Sequence, residues 1–102
     1  MKNIYEIRWS EEAVKNLNNI FDYLEKNWSE KEIKKFAQKL EKCINIIRTT
    51  PFAFPLSEIM KIRRIVINRQ ITMYYEVASN VIYIITLFDT RQNPKKIKRS
   101  GN

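Results

Sequence analysis

Ile62–Phe88 reads IRRIVINRQITMYYEVASNVIYIITLF, and three stretches within it are built for strands. Ile62 to Ile67, Ile71 to Val77 and Val81 to Phe88 are rich in β-branched and aromatic residues, which suit a pleated, half-buried surface. Asn68-Arg69 supplies a tight turn in the first break and Ala78-Ser79-Asn80 one in the second. Connections this short make the three strands antiparallel neighbours, a β-meander.

Upstream the apolar period changes. Tyr5, Ile7 and Trp9 alternate with Glu6, Arg8 and Ser10, which predicts a short half-buried strand. Ser10 followed by Glu11 and Glu12 reads as a helix start. Ala13, Leu17, Ile20 and Leu24 then recur at helical spacing, with Phe21 beside them, predicting a helix over 11–27. Ser29-Glu30-Lys31-Glu32 has the Ser-x-x-Glu pattern of a capping box. The second stripe is Ile33, Phe36, Ala37, Leu40, Ile44 and Ile47, with Cys43 at its edge, and Pro51 ends it. The break at Asn27-Trp28-Ser29 is short enough to fold the two helices into an antiparallel hairpin. Pro51-Phe52-Ala53-Phe54-Pro55 is a rigid apolar connector expected to pack beneath them. The expectation is one domain over 1–102, of α+β class and order β-α-α-β-β-β. A helix hairpin covers one face of a mostly antiparallel twisted sheet.

Charge is distributed unevenly along this frame. Residues 1–60 hold ten Lys and Arg against nine Asp and Glu, whereas residues 61–102 hold nine against Glu76 and Asp89 alone. Nearly all of the net charge of +8 therefore lies in the meander and the C-terminal tail. Such a field attracts an anionic partner, and the open face of the sheet is where these basic residues are expected to gather. There is no histidine, a single cysteine and a single glycine, Gly101. Zinc sites of the usual ligand sets, His-dependent acid–base chemistry and glycine-rich phosphate loops are excluded, and neither metal nor cofactor is expected. The first residues contain no signal-like apolar run, and Val81 to Phe88 is too short to span a bilayer. A soluble cytoplasmic protein with no membrane partner is expected.

The candidate anion- and partner-binding residues are Lys61, Arg63, Arg64, Arg69, Tyr74, Arg91 and Lys95. Adjacent residues of a strand point to opposite faces. One of Arg63 and Arg64 must therefore face the open side, while the other lies near the helices or pairs internally, for instance with Glu76. Tyr74 and Tyr75 divide in the same way, and an exposed Tyr among arginines suits base stacking. Asp89-Thr90-Arg91-Gln92-Asn93-Pro94 reads either as a turn capped by Asp89 or as a presentation of Arg91 to an anion.

With these residues in view, the meander, the opening Ile7-Arg8-Trp9-Ser10-Glu11-Glu12-Ala13 and the closing Leu87-Phe88-Asp89-Thr90-Arg91-Gln92-Asn93-Pro94 resemble the RelE/ParE superfamily of bacterial type II toxins, its ParE-like members above all. The resemblance covers nearly the whole chain. It implies a growth-inhibiting toxin, of the kind linked to plasmid stabilization, made beside a small antitoxin. The antitoxin's acidic C-terminal segment would wrap and neutralise the toxin, with a toxin–antitoxin heterotetramer as one possible assembly. ParE-like members inhibit DNA gyrase by direct binding, without catalysis. RelE-like members cut messenger RNA on the ribosome, as metal-independent interferases. Such cleavers resemble one another in a basic residue of the second meander strand and a C-terminal Tyr or His-Tyr. Here that strand position is Thr72, and no Tyr or His follows Pro94. The gyrase-directed reading is therefore preferred. In the RelE-type alternative Arg63, Arg64 and Arg91 are the catalytic candidates, stabilising charge on phosphate. A non-catalytic module binding antitoxin or nucleic acid is the third reading.

Overall fold

The computed structural model describes residues 4–57 and 59–91. β1 (Glu6–Trp9) leads into α1 (Glu11–Asn27) and α2 (Glu30–Thr49). A single 3-10 turn (Pro51–Ala53) follows, and then β2 (Arg63–Val66), β3 (Ile71–Ala78) and β4 (Val81–Asp89). The sheet order is β1-β4-β3-β2. The meander is antiparallel throughout, and β1 runs parallel to β4, with Glu6 opposite Val81 and Trp9 opposite Ile84. The fold is the expected α+β arrangement.

The helices start where the serines stand. Ser10 Oγ accepts from the Ala13 amide at 2.9 Å and Ser29 Oγ from the Glu32 amide at 3.4 Å, each satisfying an otherwise orphaned helix donor. Only Trp28 and Ser29 separate α1 from α2, so the helices fold back on each other, and Phe21 meets Phe36 edge-to-face at 5.4 Å. Ala13, Ile20 and Leu24 of α1 and Phe36, Leu40 and Ile47 of α2 are buried against Ile65, Met73, Tyr75, Ile82, Ile84 and Leu87 of the sheet. Ala37, expected in that stripe, is exposed, while Ile33 and Ile44 are half-buried. The stripe is therefore narrower than its periodicity implies. Of the connector, Phe54 packs on the core, but Phe52 remains largely exposed and rests edge-on against Tyr5.

β4 carries the irregularity that lets α1 dock. Tyr74 lies opposite Thr86 and Tyr75 opposite Ile84, leaving Ile85 as a bulge. The Ser10 hydroxyl that caps α1 also donates to the Ile85 carbonyl at 2.7 Å. Just beyond, where β1 has ended, the Asn16 side-chain oxygen of α1 accepts from the Leu87 amide and the Thr86 hydroxyl, closing the free edge of β4. At the opposite edge, Pro55–Ser57 lies along β2 through a Leu56–Arg63 bridge. The β2–β3 turn is held by Asn68 Oδ1, which accepts from the Gln70 and Ile71 amides, both at 2.9 Å. Among the described residues no helix is long and apolar enough to cross a membrane.

The two capping serines separate in a stability measurement. Ser10→Ala loses both the cap and the bond to Ile85 and is expected to cost about 2 kcal/mol in urea unfolding. Ser29→Ala, at an exposed cap, is expected to cost roughly 0.5–1 kcal/mol. Equal losses would mean that the Ser10–Ile85 bond contributes nothing.

Candidate functional site

Register sorts the two adjacent arginines. Arg63 stands opposite Tyr75 and Arg64 opposite Tyr74. Tyr75 is fully buried on the helix side, so Arg63 shares that side and Arg64 faces the open one. Arg63 does not pair with Glu76. Its Nη1 donates to the carbonyls of Phe54 at 2.7 Å and Phe52 at 3.3 Å, and its guanidinium lies 5.2 Å from the Phe52 ring. Arg63 thus secures the connector beneath the helices. Tyr75 is fixed by the same connector: its hydroxyl donates to the Pro51 carbonyl at 2.7 Å. Burial pushes its pKa up to about 12, against a smaller opposing pull from Arg63.

The open face is built in cross-strand rows. Arg8, Tyr83 and Glu76 form one, and Arg64, Tyr74 and Thr86 another. Thr72 lies between Val66 and Phe88 in the next. Arg8 holds Glu6 at 2.9 Å, and this carboxylate raises the guanidinium pKa further. Arg8 and Arg64 are thus balanced on this face by Glu6 and Glu76. Among the described residues the basic side chains of the meander do not gather on this face, for geometric reasons. Alternation sends Arg63 to the other face, and Lys61 and Arg69 are exposed in the loops at the two ends of β2. Lys61 adopts a left-handed backbone, φ 60°. Lys95 lies outside the described residues.

Arg91 is also drawn away from the open face. Its Nε and Nη2 reach the two Asp89 oxygens at 3.2 and 3.4 Å, and its amide donates to Asp89 Oδ1 at 2.9 Å. The guanidinium lies 5.3 Å from the ring of Tyr23 and 6.0 Å from that of Trp28. Asp89 is buried, whereas the Arg91 side chain retains 19% exposure. The pair closes the end of β4 onto the hinge of the helix hairpin. The turn capped by Asp89 was legible in the sequence; the aromatic seat of Arg91 was not, because Tyr23 and Trp28 are distant along the chain. One further feature escaped sequence reasoning. Ile59 and Met60, ahead of β2, are 93% and 66% exposed, and no periodicity marks them. Cys43 is half-buried, and desolvation pushes its thiol pKa up despite Lys39 and Lys42 nearby.

A strand, a helix hairpin and a meander that together place a mixed Arg/Tyr/Glu surface on an open sheet define a small α+β protein with one uncovered sheet face. The sequence profile described as "ParE toxin of type II toxin-antitoxin system, parDE" matches residues 7–94, and the chain belongs to this family. No curated protein matches the sequence. Among solved structures, the chromosomal ParDE system of P. aeruginosa is similar with a TM-score of 0.71 at 16% identity, covering 86% of this chain and 98% of that one. A variant of the E. coli toxin RelE in its free state is similar at TM-score 0.59 and 15% identity, over 94% and 97% of the two chains. The E. coli DinJ–YafQ toxin–antitoxin complex gives TM-score 0.59 at 8% identity, over 87% and 96%. At these identities the likeness is one of fold.

The arginines are expected to differ sharply in structural weight. Arg91→Ala removes the charge-assisted hydrogen bonds that Arg91 makes to the Asp89 carboxylate and is expected to cost about 1.5–3 kcal/mol. Arg64→Ala, exposed, should stay within about 0.5 kcal/mol of the parent in denaturant unfolding. Tyr75 gives a pH signature. The phenol is neutral in the fold and titrates near 10 when unfolded. Stability is therefore complete below about pH 10 and declines as pH rises from there towards about 12. Tyr75→Phe should lose about 1–3 kcal/mol at neutral pH by stranding the Pro51 carbonyl, and should unfold with a flatter alkaline limb.

Proposed function

We propose that this chain is a growth-inhibiting toxin that acts on DNA gyrase by surface contact, without catalysis of its own, and that a cognate antitoxin holds it inactive. The observation that carries the reading is the dispersal of the arginines. Stabilising a phosphorane-like transition state needs cations converging on one phosphate within hydrogen-bond reach. Arg63 is engaged by the Phe52 and Phe54 carbonyls and Arg91 by Asp89, and of the three candidates only Arg64 faces the open sheet. A three-arginine phosphate site is therefore not assembled, which favours binding over cleavage. Membership of the ParE toxin family supports the same side. The antitoxin is supported by that membership and by the ParDE and DinJ–YafQ assemblies of similar fold.

The test is induction from a tightly repressed promoter in a bacterial host, with labelled thymidine and amino-acid uptake followed in one culture. DNA synthesis should stop first while translation continues, and purified protein should inhibit gyrase supercoiling. Arg64→Ala should weaken that inhibition while remaining folded. An early stop in translation, with messenger RNA cut on programmed ribosomes, would replace this reading with the nuclease one.

A further inference from the structure

At the hinge of the helix hairpin lies a cleft of about 210 Å³ that shares no residue with the rows of the open sheet face. Its apolar lining comes from Leu24 and Phe36, which are buried, and from the indole of Trp28, which is 45% exposed. The polar lining falls in two tiers. Glu32, Asn68 and Gln70 are half-buried, whereas Lys35 and Lys39, one helical turn apart on α2, are exposed. Asn68 commits its side-chain oxygen to the Gln70 and Ile71 amides, which leaves its NH₂ group as a donor. Among the described residues the side chains of Gln70 and Glu32 make no hydrogen bond, and neither Glu32 nor the two lysines make an ion pair. The charge of Arg91, the remaining lining residue, is already met by Asp89.

We propose that this cleft binds a free nucleoside monophosphate, with the base against Trp28 and the phosphate on Lys35 and Lys39. Size sets the division. Pockets that enclose a whole small-molecule ligand run from about 300 to 1,000 Å³. This smaller one takes the base and leaves the sugar phosphate at the rim, where the two exposed lysines stand. The indole offers a flat π surface, on which any base stacks. The Asn68 NH₂ group and the Gln70 amide supply donors and an acceptor for the edge of the base, the few convergent polar groups that orient a ligand in an apolar recess. The Glu32 carboxylate only accepts, and a ribose hydroxyl or a base amino group is the donor that it lacks. Charge limits the ligand to a short anion. Lys35 and Lys39 against Glu32 leave a single net positive charge, since Arg91 is balanced by Asp89. A nucleic-acid strand relies on many phosphate contacts, and the cleft does not offer them. Inorganic phosphate would meet the lysines but leave the indole and both amides unused. The site is independent of the proposed action on gyrase, which is assigned to the open sheet face.

The chain has two tryptophans, Trp9 and Trp28, so Trp9→Phe leaves Trp28 as the sole indole reporter. Its fluorescence is titrated with AMP, GMP, CMP and UMP in metal-free buffer. Adenosine, ribose 5-phosphate and inorganic phosphate are the controls, and titration calorimetry on the full chain with both tryptophans repeats each measurement. At least one monophosphate should quench Trp28 saturably. Its nucleoside and ribose 5-phosphate should each bind at least about tenfold more weakly, since each lacks one half of the recognition. Lys35→Gln/Lys39→Gln should bring the nucleotide down to the affinity of its nucleoside, and Trp28→Ala should cost about tenfold by calorimetry. Circular dichroism confirms that the variants fold. The proposal is overturned if no monophosphate binds, or if either variant binds as tightly as the parent. Inorganic phosphate binding as tightly as the nucleotides would reduce the site to an anion contact on two lysines and overturn it too. A hexanucleotide that binds more tightly than its own monomer, and is lost in the same variants, would overturn the assignment to a free nucleotide.

Discussion

One hydroxyl sits where the structure's layers meet. Ser10 comes directly after β1, caps α1 and donates to the carbonyl of the bulged Ile85. A helix start needs a side-chain acceptor, and a bulge leaves a carbonyl outside the regular ladder. One oxygen, acting as acceptor and donor, answers both needs. It fixes the direction in which α1 leaves the sheet and brings Asn16 to the edge of β4 that β1 no longer covers. The helix hairpin, and with it the cleft at its hinge, is aligned from that junction.

The connector after α2 is the second constraint, and it explains why the described arginines of the meander do not share one face. Pro51, Phe52 and Phe54 present carbonyls towards the sheet. Tyr75 and Arg63, facing the same side, supply the donors. The Pro51 carbonyl is buried and that of Phe54 partly so, and such carbonyls without donors are costly, so Arg63 is committed to the fold. Asp89 commits Arg91 in the same way. Of the meander's arginines Arg64 is left to the open face, among tyrosines and opposing carboxylates.

Much of this was readable in advance because local physics decides it. Helix bounds followed from Ser10, Ser29 and Pro51, and the strand limits from the turn residues between them. The alternation separating Arg63 from Arg64 was also legible, but its phase was not: it depends on which of Tyr74 and Tyr75 is buried, and that depends on the helices. Likewise the pairing of β1 with β4 left no local trace, because a parallel neighbour needs no turn. The Asp89 turn was visible as a spacing of two residues, while the rings beneath Arg91 came from the far end of α1. The cleft escaped for the same reason, since its walls are contributed by three separated segments.

The parallel pairing of β1 with β4 also bears on how the protein is made. Glu6 meets Val81, and the Ser10 hydroxyl waits for a carbonyl 75 positions later. On the ribosome the first strand therefore emerges long before β4, the strand it pairs with. In the interval the helix hairpin holds an apolar stripe, from Ala13 to Ile47, with no sheet to cover it. Nascent chains in such a state depend on speed of synthesis or on chaperones to escape association. The open sheet face is complete only once β4 has been made, so a product that stops before Val81 lacks the strand to which both β1 and β3 pair.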